Sequence, residues 1–198
     1  MPHGDLVELV SRPCTSTLDP LETSPRIAVG TLILTVNGEL PVEFLQAGDE
    51  VMTRDHGLQR VVRVDMQMLS DAELRVDPTL CPIMITRNAL GPGLPCRDLL
   101  VAPAQRLWVR HGNIRMGGPS QIVTARALSG HTKGVFVDET AMMAAGVEYF
   151  AVVLDQPCII WAEGLAVESL GLKSPSPHVA SLRPGGREEV ERLSSALA

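Results

Sequence analysis

Arg26-Ile27-Ala28-Val29-Gly30-Thr31-Leu32-Ile33-Leu34-Thr35, followed by Asn37-Gly38-Glu39 and Pro41-Val42-Glu43, is the stretch on which the reading of this chain turns. Thr31 to Val36 is rich in Thr and β-branched residues, which fit a pleated, half-buried surface. Asn37-Gly38 then reads as a tight hairpin turn, because both central positions of that turn favour φ > 0.

The texture continues outward in the same style. Glu50 to Arg54 leads to the turn Asp55-His56-Gly57, and Gln59 to Asp65 alternates loosely. Pro82 to Thr86 is strand-like and precedes the Gly/Pro-rich loop Gly91-Pro92-Gly93-Leu94-Pro95. Leu99-Leu100-Val101, Leu107-Trp108-Val109, Ile114 to Met116, Val135 to Val137, Val147 to Leu154 and Cys158 to Trp161 complete the apolar runs, with His111-Gly112 as a further turn. Many short strands separated by turn residues predict an all-β domain. Ala141 to Ala145 reads as one or two helical turns. Arg187 to Ala198 reads as a short C-terminal helix, with Val190, Leu193 and Leu197 on one face. Residues 1–25 read as an extension, in which Asp5 to Val10 is a strand or a helical turn. Residues 26–172 read as the domain. Residues 173–198, opening with Lys173-Ser174-Pro175-Ser176-Pro177, read as linker and helix.

Composition narrows the function classes. The 198 residues carry a formal charge of −6 and no strongly basic run, which argues against a nucleic-acid surface. Aromatics are only 3 %, so the core must rest on Val, Leu, Ile, Ala and Met. No apolar run approaches a membrane span, and the N-terminus lacks a basic start with an apolar stretch, so a cytoplasmic location is expected, with signal-independent export still open. The cysteines, Cys14, Cys81, Cys96 and Cys158, form no Cys-x-x-Cys pair and no zinc spacing. They are expected reduced and partly buried, and a Cys81–Cys96 disulfide only after export. Neither a metal site nor a cofactor is read from the sequence.

Four segments in order resemble the Hint domain, the autoprocessing module of hedgehog proteins and inteins, and most closely its bacterial branch. They are Gly30-Thr31 with Leu40 to Leu45 and Ala47 to Gly57; Arg87 to Pro95 running into Arg97 to Val101; Leu107 to Val109; and Val153 to Asp155 with Ala162 to Leu165 and Glu168-Ser169. Together they span roughly Arg26 to Leu172. In that family a Cys or Ser four residues before the Gly attacks the preceding carbonyl, converting the amide to a thioester or ester. A Thr/Ser-x-x-His motif polarises the scissile group and protonates the departing nitrogen. The resemblance places Arg26 at the nucleophile. It places Ala102-Pro103-Ala104-Gln105 at the motif, so Ala102 replaces the hydroxyl and Gln105 the His. Ala151 and Pro157 align with two further His positions.

The resemblance thus implies a Hint fold without the chemistry, with Arg26, Gly30, Thr31, Ala102 and Gln105 as a vestigial site. Its expected role is a binding or interaction module, whose emptied cleft suits an extended peptide paired to a strand edge. A self-cleaving domain using a non-standard nucleophile such as Ser24 is one alternative, and a structural or oligomerisation module built on the C-terminal helix is another. Most other candidates read as ordinary structure. Arg26 reads first as a surface residue and second as filling an anion pocket. Gly30 and Gly38 read as turn glycines, and His56 and His111 as turn residues. His131 is a remote surrogate donor. Asp155, Glu163 and Glu168 read as bonding turns and backbone N–H groups, and Cys158 as core.

Overall fold

The computed structural model describes residues 24–110, 120–143 and 145–172, without the side chain of Arg110. The strand or turn at Asp5 to Val10, Cys14, the His111-Gly112 turn, the Ile114 to Met116 strand, the Lys173 to Pro177 linker and the Arg187 to Ala198 helix lie outside the described residues.

The chain opens with β1 (Ile27–Ala28) and two hairpins, β2 (Leu32–Thr35) with β3 (Gly38–Pro41) and β4 (Glu50–Thr53) with β5 (Gly57–Arg60). The middle holds β6 (Arg63–Leu69), α1 (Asp71–Val76), β7 (Ile83–Ile85), β8 (Leu99–Val101), β9 (Arg106–Arg110) and β10 (Ser120–Thr124). It ends with α2 (Ala125–Leu128), β11 (Val135–Val137), β12 (Val147–Leu154), β13 (Ile159–Ala162), β14 (Leu165–Glu168) and β15 (Leu170–Gly171). The fold is all-β, in two sheets. One runs β11-β7-β8-β1-β12-β15, with β6 also paired to β12. The other runs β10-β9-β14-β13-β2-β4-β5, with β3 on β2. The pairings are antiparallel except β12 with β15.

Side-chain alternation divides the first sheet into two buried faces. Ile27, Val101 and Phe150 stand opposite one another in register and face the main core, with Ile33, Val51, Leu107, Ile160 and Val167 of the second sheet. Ala28, Ala102 and Tyr149 face a smaller cluster closed by Leu74 of α1 and by Ala141. β12 lies between the two clusters, which is why Val147 to Leu154 is apolar almost throughout instead of alternating.

Three local expectations change. The first hairpin pairs Thr35 with Gly38, so Val36 and Asn37 hold the centre of the turn, and Gly38 alone takes positive φ, at +108°. The Thr35 hydroxyl fixes this form, accepting the Asn37 N–H and donating to the Gly38 carbonyl. Where helical turns were expected from Ala141, the described residues form a 3-10 turn that runs Glu139–Met142, capped by Asp138, whose carboxylate accepts the Thr140 N–H. In addition, α1 stands in a stretch to which the sequence reading assigned no element. Its signal was Ser70-Asp71-Ala72-Glu73, a capping box in which the Ser70 hydroxyl accepts the Glu73 N–H and the Glu73 carboxylate accepts the Ser70 N–H.

The entry to β12 is sterically tight. Gly146 has φ +101°, and a Cβ there would collide with the Leu69 carbonyl. Gly146→Ala is expected to cost about 2–4 kcal/mol by urea unfolding, from strain plus overpacking. Gly93→Ala, at φ +75° with nothing within 4 Å, carries the strain alone and is expected to cost about 1 kcal/mol.

Candidate functional site

Arg26 is the first point at which the structure departs from the surface expectation. It is 1 % exposed, among the largest fully buried side chains of the described residues. The cause is its place one step ahead of β1. Ile27 pairs with Val101 on one side and Phe150 on the other, so the same registers carry Arg26 between Ala102 and Ala151. The Ala102 N–H donates to the Arg26 carbonyl at 2.9 Å. All three residues belong to the face of Ala28 and Tyr149, and both flanking alanines are buried. A long side chain enters here because its two cross-strand neighbours are small.

The turn beyond β1 is held from several directions. The Thr31 N–H and hydroxyl both donate to the Ala28 carbonyl, the hydroxyl at 2.7 Å. Gly30 takes φ +80° inside that turn, with open space around it, so its requirement is conformational. Its N–H donates to the Glu43 carboxylate at 2.9 Å. Glu43 therefore ties the Pro41-Val42-Glu43 segment to the Gly30-Thr31 turn, a link between two quoted motifs that sequence reading left unexplained.

Ala102 to Gln105 forms a buried turn closed by the Gln105 N–H on the Ala102 carbonyl. The Gln105 amide is committed elsewhere, donating to the carbonyls of Arg106 and Glu168, both at 3.0 Å. Beside it the Arg106 guanidinium pairs with the Glu168 carboxylate, and both are buried. Burial pushes Arg106 below its ordinary pKa. The structure thus joins Arg26 to Ala102 directly, while Gln105 turns towards the end of β14.

Glu163, also buried, sits at φ +50° in the turn between β13 and β14. One carboxylate oxygen accepts the Leu32 N–H at 2.8 Å and the other accepts from Arg97 at 2.8 Å. Its carbonyl accepts the Cys96 N–H. Sequence reading gave Glu163 the backbone bond but missed the Arg97 ion pair and the Arg106–Glu168 pair, whose members lie far apart in the chain. Asp155 and His131 are exposed, and His131 follows α2. Ser24 is buried.

The family model for the Hint domain matches residues 26–173. The chain belongs to the Hint domain family. Among solved structures this Hint domain is similar to a bacterial intein-like domain from Clostridium thermocellum, at 11 % identity and TM-score 0.48, covering 74 % of this chain and 99 % of that one. It is also similar to a DnaB intein from Synechocystis sp. PCC 6803, at 16 % identity and TM-score 0.43, covering 74 % and 99 %. A comparison with curated proteins finds no match. No helix of the described residues is long and apolar enough to cross a membrane.

Cys81, Cys96 and Cys158 of the Hint domain are free thiols, so Cys81 and Cys96 are not joined. Burial, with a smaller contribution from the Asp55 charge, pushes the Cys158 thiol up from 9.0 to about 11. Burial also raises Cys81. The thiolate is the reactive form, and it becomes populated only as pH rises through the folded pKa. Near neutral pH Cys158 should therefore alkylate about 100-fold more slowly than an ordinary thiol, before access is counted. Peptide mass mapping after timed maleimide treatment checks this, with the half-exposed Cys96 labelled well before Cys81 and Cys158.

Proposed function

We propose that this Hint domain is a non-processing module that works by interaction. The observation that supports the reading is the burial of Arg26 against Ala102 at the level the family uses for chemistry. A guanidinium stays protonated in proteins and offers no nucleophilic electron pair. Ala102 has no hydroxyl to polarise a carbonyl, and Gln105 cannot exchange a proton near pH 7. The Gln105 amide is also already engaged by two backbone carbonyls. Residues 1–25 and 173–198 are, on this reading, an extension and a tail around one Hint domain. The free thiols suit a cytoplasmic, reducing setting.

The peptide cleft anticipated at Ala102 and Gln105 does not open to solvent, since both residues are buried. An extended partner is better accommodated at β6. This strand pairs with β12 along one side from Arg63 to Leu69 and has no partner strand on its other side among the described residues. It presents Met66, 55 % exposed, and Met68, 46 % exposed, on one face. Backbone pairing to such an edge supplies affinity, and methionines adapt to varied side chains.

Intact-mass analysis of the full chain tests the first part. A single full-length species, unchanged by dithiothreitol or hydroxylamine, is expected, and Arg26→Cys alone is expected to remain uncut because Ala102 and Gln105 are unchanged. Loss of residues 1–25 from the unmodified chain would overturn the reading. Selection from a displayed random-peptide library tests the second part: Met66→Asp with Met68→Asp should abolish capture of the selected peptides, and undiminished capture would remove β6 as the site.

A further inference from the structure

Away from the Arg26 level, the loop joining β4 to β5 meets the start of β13. Asp55 and His56 lie in the loop, and Cys158 directly precedes β13. One ligand atom from each of the three lies within 4.8 Å of the other two. We propose that Asp55, His56 and Cys158 form a binding site for a divalent transition-metal ion, with Zn²⁺ the ion that fits the donor set.

The donors are a carboxylate oxygen, an imidazole nitrogen and a sulfur. Mg²⁺ and Ca²⁺ favour all-oxygen sites, whereas this mixture suits Zn²⁺. With Zn–S of about 2.3 Å and Zn–N or Zn–O of about 2.0–2.2 Å, tetrahedral ligands stand about 3.3–3.6 Å apart. From a separation of up to 4.8 Å, the side chains must therefore close by up to about 1.5 Å, measured against those bond lengths. His56 can make that movement, since its side chain is 47 % exposed. Its Nε2 lies 3.9 Å from the Asp55 carboxylate, too far for a hydrogen bond and close enough to share an ion.

The backbone around the ligands is already held. The Asp55 carboxylate accepts the Ile159 N–H at 3.1 and 3.3 Å, which orients it beside Cys158. The Cys158 N–H donates to the Ser169 hydroxyl at 3.0 Å. The Arg54 N–H donates to the Ile159 carbonyl at 2.7 Å, tying the loop to β13. The Thr53 hydroxyl accepts the His56 N–H at 3.0 Å. Outer hydrogen bonds of this kind fix ligand orientation in metal sites. Three protein ligands with the imidazole on the exposed side leave a fourth position for water. Ligand spacing in the sequence gave no sign of the site because Cys158 comes from a distant hairpin.

Chelator-treated, untagged full-length protein titrated with Co²⁺ as the spectroscopic probe tests this. The expected result is about one Co²⁺ per chain, with a thiolate-to-cobalt charge-transfer band and visible bands of tetrahedral intensity. Cys158→Ser should abolish the charge-transfer band, and Cys96→Ser should leave it intact. His56→Ala, at an exposed position that tolerates truncation, should weaken binding by about tenfold or more. At equal Zn²⁺ concentration the thermal midpoint of the unmodified protein should rise more than that of His56→Ala. No charge-transfer band in the unmodified protein, a band that survives Cys158→Ser, or unchanged affinity in His56→Ala would each overturn the proposal.

Discussion

A strand buried on both faces must satisfy every backbone N–H and C=O by pairing, because no water reaches it. Val147 to Leu154, buried at every position but Glu148, is that strand here, and the rest of the domain is arranged to meet its demand. β6 covers one side from Arg63 to Leu69, and β1 and β15 share the other. The two faces then need apolar cover of their own. The second sheet provides one, and α1 with the 3-10 turn at Glu139–Met142 provides the other. Tyr149 shows how strict the requirement is. Its ring is fully buried, its hydroxyl donates to the Leu80 carbonyl, and burial holds its pKa above the ordinary value.

The same packing bears on chemistry at the Arg26 level. Cross-strand neighbours share volume, so a large residue is tolerated where its neighbours are small. Arg26 between Ala102 and Ala151 is such an arrangement. A lone cysteine at 26 would sit between two methyl groups, with the nearby Gln105 amide engaged by backbone carbonyls.

Much of the fold was legible because it is written locally. The short strands, Gly30, Gly38 and Gly57 all sit at or beside turns, and their identities follow from φ and hydrophobic patterning. What was illegible is carried by contacts between remote segments. The burial of Arg26 follows from registers with Ala102 and Ala151, and no property of Arg itself signals it. The one-residue shift of the first turn depends on the Thr35 hydroxyl. Helix α1 carries a local signal in its capping box, Ser70 to Glu73, which the sequence reading passed over. Of the site residues, the turn at Gly30-Thr31 could be read from sequence. The Glu43 link, the Glu163 clamp and the Arg106–Glu168 pair required the fold.

Glu163 has one more consequence. A single buried carboxylate ties the first strand of the second sheet, the loop before β8 and the β13–β14 turn, three pieces from the beginning, middle and end of the domain. None of them can peel away alone without stranding part of that carboxylate's hydrogen bonding in a low-dielectric interior. Partial openings are therefore suppressed, and the domain is coupled into one cooperative unit whose exchange of these amides with solvent approaches the rate of global unfolding.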